Sequence, residues 1–122
     1  CGKTGCVETI ISGPALERYY RQISGQTKNL KEINLDYRNG TDRHATETME
    51  RLFYFFGKAI TVVINIVDPD AIVIGGGVGN IDEIYTLGVN EVKKHVFNHR
   101  LDTRFFKPKL GDSAGVFGAA FL

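Results

Sequence analysis

The fold of this chain is decided by the stretch Asp68-Pro69-Asp70-Ala71-Ile72-Val73-Ile74-Gly75-Gly76-Gly77-Val78. Asp68-Pro69 ends a preceding helix, because a residue before proline is driven out of the helical region. The run from Ala71 to Ile74 is continuously apolar and rich in β-branched residues, which is typical of a buried parallel strand. Consecutive glycines then leave the backbone without Cβ atoms. The stretch predicts an α/β fold in which a strand leads into a glycine turn.

Long helices are predicted on both sides of this strand. Arg43–Val67 carries apolar residues at steps of three and four, and Ile81–Phe97 repeats the pattern. The second half of the first helix is apolar nearly all round, with residues off its main stripe at Tyr54, Phe55, Val62 and Ile66. We expect its second face to be buried by a further layer, from a missing segment or from a partner chain.

The remaining elements complete half of an α/β lobe. Val7–Ser24 is expected to be helical with an interruption at Gly13-Pro14, since proline suits the first turn of a new helix. A polar connection follows, with a short helix around Leu30–Leu35. Thr103–Leu110 is expected as a short edge strand because it contains Pro108. Asp112-Ser113 then caps a closing helix over Ala114–Leu122.

Composition narrows the class of protein. The chain has 122 residues, of which 43% are hydrophobic and 24% charged, so it is a single globular domain rather than a disordered segment. A net charge of +1 argues against a dedicated nucleic-acid binder. The longest apolar run, Ile60–Val67, is too short to cross a membrane. Because the chain opens inside a motif at Cys1, we expect it to be the C-terminal piece of a longer protein.

The glycine triplet is a candidate nucleotide site. It follows a strand, where α/β sheets bind ligands, and its bare backbone suits a phosphate or nucleotide near a helix N-terminus. The dinucleotide fingerprint does not apply, because its last glycine would fall on Asn80. A phosphate-binding P-loop is also excluded, since no Gly-Lys-Ser/Thr follows. A plain strand-to-helix turn remains the alternative.

Cys1 and Cys6 form a C-x4-C pair whose spacing suits a structural zinc knuckle. Two ligands do not complete such a site, and His95 with His99, one helical turn apart, is a candidate second pair. A disulfide is the other interpretation, but nothing indicates secretion, which favours reduced cysteines and a cytoplasmic protein. Glu8 follows two residues after Cys6, and by itself it is a carboxylate favoured at a helix start.

Four stretches, in consistent order, resemble the C-terminal half of the ROK family of repressors, open reading frames and sugar kinases. Residues 1–8 resemble the zinc signature C-x-C-G-x-x-G-C-x-E without its first cysteine, and residues 12–16 resemble the segment after it. Residues 68–78 resemble the strand and adenosine-side turn of the kinase core. Residues 110–120 resemble the closing helix.

The resemblance implies the C-terminal lobe of an actin-like ATPase (ribonuclease H-like) fold, with parallel strands packed by long helices, over residues 1–122. Sugar, ATP and Mg²⁺ would bind between this lobe and an absent N-terminal lobe that carries the catalytic aspartate. Cys1 and Cys6 would be two of four ligands to a structural Zn²⁺, and Glu8 would bind sugar hydroxyls. The nucleotide would lie along Gly75, Gly76 and Gly77. A homodimer is expected, and the fragment alone should be inactive.

Three functions follow from these observations. The first is an ATP-dependent kinase for a hexose or N-acetylhexosamine, glucokinase-like or fructokinase-like, and the intact triplet favours it. The second is the sugar-sensing lobe of a transcriptional repressor without kinase activity. The third is a small zinc-knuckle module that would draw four zinc ligands from these residues alone. The sugar itself stays open among glucose, fructose, N-acetylmannosamine and N-acetylglucosamine.

Overall fold

The computed structural model describes residues 5–98 and 100–109. Within these ranges the helices are α1 (Glu8–Ile11), α2 (Gly13–Ser24), α3 (Leu30–Asn39), α4 (Arg43–Val67) and α5 (Leu87–His95), and the strands are β1 (Ala71–Val73) and β2 (Arg104–Phe106). Short 3₁₀ turns cover Gly77–Asn80 and Asp82–Tyr85. The chain divides into two compact units, Cys1–Phe56 and Gly57–Leu122, so the boundary falls inside α4.

The first unit is built from capped helices. Ser12 lies at the start of α2, where its hydroxyl accepts a hydrogen bond from the Ala15 N–H at 3.4 Å, and Pro14 occupies the first turn. This confirms the predicted break in the Val7–Ser24 helix. The buried apolar side chains of the unit are Ala15, Leu16, Tyr20, Leu30, Ile33, Ala45, Met49, Leu52, Phe53 and Phe56.

Helix α3 is longer than the predicted Leu30–Leu35. Asn29 and Glu32 form a reciprocal capping box at its start, and the chain leaves it only at Gly40, whose φ is 66°. Leu30 and Ile33 bury one face of the helix. The predicted short helix is confirmed, but the polar composition after Leu35 concealed its second half, because the buried stripe of Leu30 and Ile33 ends before it.

Helix α4 has the predicted bounds, Arg43–Val67. Asp42 precedes it and accepts hydrogen bonds from the backbone N–H groups of His44 at 2.8 Å and Ala45 at 3.3 Å. The off-stripe side chains Val62 and Ile66 are 58% and 78% exposed within this chain. Their burial by a further layer stays a prediction.

The second unit holds a two-stranded parallel sheet, with β1 paired to β2 in the register Ala71↔Arg104, Ile72↔Phe105 and Val73↔Phe106. The parallel arrangement confirms the prediction for this strand. Its predicted burial is wrong, because Val73 is 61% exposed. A parallel strand is buried when helices cover both faces of a wider sheet, and β1 has a single partner strand in the described part of the chain. The second strand is also shorter than the predicted Thr103–Leu110.

The predicted helix Ile81–Phe97 is wrong in its first turns. The chain instead forms the 3₁₀ turns Gly77–Asn80 and Asp82–Tyr85, and α5 begins only at Leu87. Ile81 and Ile84 are buried as expected. The i, i+3 spacing of these two residues suits a 3₁₀ turn as well as an α-helix, so the periodicity did not distinguish them.

Two predicted features lie outside the described residues: the closing helix over Ala114–Leu122 and its cap at Asp112-Ser113. For the residues that are described, no helix combines the length and the hydrophobicity required to cross a membrane.

Candidate nucleotide and sugar site

The glycine turn lies at the carboxyl end of β1 and is exposed over Gly75, Gly76 and Gly77. The Ile74 N–H donates to the Phe106 carbonyl at 3.1 Å, and pairing with β2 stops there. Gly76 has a φ of 75°, a conformation that side-chain-bearing residues rarely adopt. A Cβ placed on any of the three glycines would meet no atom within 4 Å. The space beside the turn is therefore open to a ligand.

The backbone N–H groups of this turn are not used by the secondary structure of the described residues. No described residue accepts a hydrogen bond from the N–H groups of Gly75, Gly76 or Gly77. Successive free N–H groups attract oxyanions. The expected α-helix N-terminus is absent, because a four-residue 3₁₀ turn follows. The turn thus offers backbone hydrogen bonds without the field of a long helix.

Two side chains that sequence reasoning missed lie beside this turn. The Tyr85 hydroxyl donates to the Gly79 carbonyl at 2.9 Å, and the Lys107 ammonium lies 5.5 Å from the Tyr85 ring centre. Lys107 also pairs with Asp82. Because Lys107 directly follows β2, it lies at the same sheet edge as the glycines. The position of Lys107 just after a parallel strand is the sequence signal that could have placed it beside the glycines.

The electrostatics of this corner keep Tyr85 a hydrogen-bond donor. Burial raises the pKa of the Tyr85 phenol, the negative charge of Asp82 adds to the increase, and the positive charge of Lys107 opposes it. The phenol therefore stays protonated at neutral pH. Its hydrogen bond to Gly79 links the 3₁₀ turn to the second turn, Asp82–Tyr85.

Glu8 and Cys6 lie together at the start of α1 in the first unit. Glu8 is the first residue of this helix and is exposed, and Cys6 is an exposed, free thiol. The Thr9 hydroxyl and the Thr9 N–H both donate to the Cys6 carbonyl, at 2.6 and 2.9 Å. These two hydrogen bonds hold the turn from Cys6 to Thr9. The carboxylate and the thiol are therefore presented to solvent on one short, ordered turn.

The predicted zinc ligands are only partly described. Cys1 and His99 lie outside the described residues. Across residues 5–98 and 100–109, no three His, Cys, Asp or Glu side chains are grouped to hold a metal ion. Zinc ligation by Cys1 and Cys6 stays a prediction.

Comparison with known proteins identifies the family. All 122 residues match the ROK family. The chain belongs to the ROK family. This ROK chain is 34% identical over 122 residues to the N-acetyl-D-glucosamine kinase of Vibrio cholerae serotype O1. The match includes 100% of this chain and 40% of the length of that relative.

Solved structures place the ROK chain in the predicted fold class. The ROK family glucokinase of Streptomyces griseus, solved with glucose and AMPPNP, superposes with a TM-score of 0.83 at 26% identity, over 99% of this chain and 45% of that one. A ROK family transcriptional regulator superposes with a TM-score of 0.69 at 24% identity, over 88% of this chain and 30% of that one. The predicted fold, part of an actin-like ATPase, is confirmed.

Proposed function

We propose that this chain is the C-terminal lobe of an ATP-dependent sugar kinase that phosphorylates a hydroxyl of a hexose or N-acetylhexosamine. One observation carries the proposal: an exposed glycine triplet, with open space where side chains would stand, ends a parallel strand. The chain-wide similarity to an N-acetyl-D-glucosamine kinase supports the same function. The chain spans about two fifths of that relative's length, so the activity is proposed for a longer protein.

The glycine turn has the nucleotide role in this proposal. The N–H groups of Gly75, Gly76 and Gly77 would donate to nucleotide oxygens, and the absence of Cβ atoms lets the ligand reach the backbone. Mg²⁺, when bound with the nucleotide, would neutralise negative charge on the phosphates during transfer. Lys107, at the same sheet edge, adds a positive charge. Its ammonium group is held there by the ion pair with Asp82.

Glu8 has the sugar role. An ionised carboxylate accepts hydrogen bonds from two neighbouring hydroxyls, and it discriminates sharply against a sugar that lacks one of them. The exposure of Glu8 at the start of α1 leaves its carboxylate accessible to such a ligand. Cys6, two residues earlier, would ligate a structural Zn²⁺ together with Cys1, which would hold the turn that carries Glu8.

The transfer itself needs groups that we do not assign to this chain. The sugar hydroxyl attacks the γ-phosphorus, the bond from that phosphorus to the ADP oxygen breaks, and the hydroxyl proton goes to a carboxylate base. We assign that base to the other lobe, so the chain alone would bind ligands but would not catalyse the transfer.

We further propose that the intact protein is a cytoplasmic homodimer.

The alternative function is sugar sensing in a transcriptional repressor. The superposition on a ROK family transcriptional regulator supports it at the level of fold. A sensor needs the sugar contact at Glu8 but has no requirement for a nucleotide turn free of side chains. The open triplet therefore favours the kinase.

The test is an ADP-release assay on the intact protein that contains this chain, with ATP, Mg²⁺ and each sugar in turn: glucose, fructose, N-acetylmannosamine and N-acetylglucosamine. We expect sugar-dependent ADP release with at least one of them, and none from the 122-residue chain alone. Sugar binding without ADP release would establish the sensor instead. Turnover by the isolated chain would refute the assignment of the base to a second lobe.

A further inference from the structure

A cavity of about 320 Å³ lies between α2 and the loop that leads to α3, entirely within the first unit. One face of α2 supplies Pro14, Glu17, Arg18 and Arg21, whose spacing of three and four residues places them side by side. The opposite wall consists of Thr27, Lys28 and Asn29. None of the residues proposed above for sugar, nucleotide or zinc lines this cavity.

The walls of the cavity are held in place by hydrogen bonds that do not depend on a ligand. Glu17 Oε1 accepts from the Leu30 N–H at 2.9 Å, which fastens the start of α3 to α2. Asn29 is fixed in the capping box of α3. Gly25, with a φ of 70°, turns the chain out of α2. Binding therefore requires little ordering of the backbone.

The positive charge that is available to a ligand lies on the α2 wall of the cavity. Lys28, on the opposite wall, is paired with Asp36 at 2.7 Å and Asp42 at 2.9 Å, and these contacts raise its pKa so that it stays protonated. Arg18 and Arg21 have no ion pair with any residue that the structure describes. Glu17 is the carboxylate among the lining residues, so the α2 wall carries two positive charges and one negative charge.

Adjacent guanidinium groups select a particular ligand chemistry. Each presents a planar fork of N–H donors that matches two oxygens of a phosphate, which a lysine cannot do. The Thr27 side chain lies on the opposite wall and offers a hydroxyl. The volume lies at the lower end of the range for small-molecule sites, about 300–1,000 Å³.

We propose that this cavity binds the phosphate group of a small phosphorylated molecule through Arg18 and Arg21. The site is independent of the proposed kinase function, since it uses none of the same residues. Three sources share this chemistry: inorganic phosphate, a sugar phosphate and a nucleotide.

The test is a titration of the intact protein that contains this chain, followed by NMR shifts of its backbone amides, with inorganic phosphate, N-acetylglucosamine 6-phosphate and ATP in separate arms. We expect salt-sensitive shifts of the α2 and 26–29 loop amides in each arm, with separate shifts at the glycine turn when ATP is added. The arm that gives the tightest binding at the α2 amides identifies the source. Loss of the two arginine contacts in the R18Q/R21Q double variant should weaken binding by at least about tenfold. The matched control is Arg43→Gln, which removes a surface arginine that does not line the cavity.

A variant that removes the negative charge of Glu17 separates this proposal from a structural role for the arginines. Glu17→Gln keeps an oxygen that accepts from the Leu30 N–H but removes the negative charge, so it should tighten phosphate binding a few-fold. The proposal is overturned if no arm shifts the α2 amides, if R18Q/R21Q binds as tightly as the unmodified chain, or if Glu17→Gln weakens binding.

Discussion

Replacing Gly57 by alanine should destabilise the second unit, although the same change would stabilise an isolated helix. Gly57 lies in the middle of α4, where α5 approaches closely. A Cβ added there would lie 2.5 Å from the Glu91 Cβ and 2.8 Å from the Glu91 carbonyl carbon. Since the second of these atoms belongs to the backbone, no side-chain rotation relieves the overlap. The helices must move apart.

Two opposing effects decide whether Gly57→Ala raises or lowers the free energy of unfolding. Carbon atoms pack at about 3.5–4.0 Å, so the overlap is close to 1 Å. Overpacking of this kind costs about 1–3 kcal/mol. Alanine is favoured over glycine inside a helix by about 0.8–1.0 kcal/mol. Because the overlap involves the backbone of α5, we expect a steric cost in the upper part of this range, about 2–3 kcal/mol. Subtracting the helix-propensity gain of about 1 kcal/mol leaves a net loss of about 1–2 kcal/mol in the free energy of unfolding.

Urea denaturation followed by circular dichroism measures this difference. Gly57→Val provides the second point, because valine has more volume and a lower helix propensity than alanine, so its loss should be greater. We expect stability to fall in the order glycine, alanine, valine. An alanine variant more stable than the unmodified chain would refute the close approach of the two helices, because propensity alone would then be acting.

Three further predictions concern the turn, the network before α4 and the sugar. Gly76→Ala should lower the free energy of unfolding by about 1–2 kcal/mol, because the backbone of Gly76 is in the left-handed region. Gly75→Ala should change the free energy of unfolding by less than about 0.5 kcal/mol. Equal urea midpoints for the two variants would contradict the geometry of the turn. Asp42→Ala should cost about 1–2 kcal/mol at pH 7 through the lost helix cap. Hydrogen bonds from Tyr20 and Lys28 hold the pKa of Asp42 below its usual range, so its contribution is present above about pH 4 and shrinks as the pH falls further; a stability difference that does not change between pH 7 and pH 3 would oppose this. Glu8→Gln should raise the sugar KM of the intact protein without changing its stability, and an unchanged sugar titration would remove Glu8 from the site.

The network before α4 illustrates why part of the structure was beyond sequence reasoning. Tyr20, Lys28 and Asp42 come from three separate segments, and the Tyr20 hydroxyl donates to Asp42 Oδ2 at 2.6 Å while Lys28 reaches the same oxygen at 2.9 Å. No local spacing announces such a cluster, because the partners are 14 and 22 residues apart from Asp42. The cavity at Arg18 and Arg21 was missed for the same reason, since its second wall belongs to the loop after α2.

Sequence alone determined the features that depend on neighbouring residues. The bounds of α4, the break before α2, the strand before the glycines and the family all follow from local periodicity, proline and glycine positions, or motif order. The tertiary structure alone decided that 3₁₀ turns replace the start of a helix, that β1 is exposed, and that Tyr85 and Lys107 lie at the glycine turn. The physical reason is that a sequence pattern records which residues prefer burial and at what period. Which surfaces meet, and which polar groups face one another, is settled only when distant segments pack.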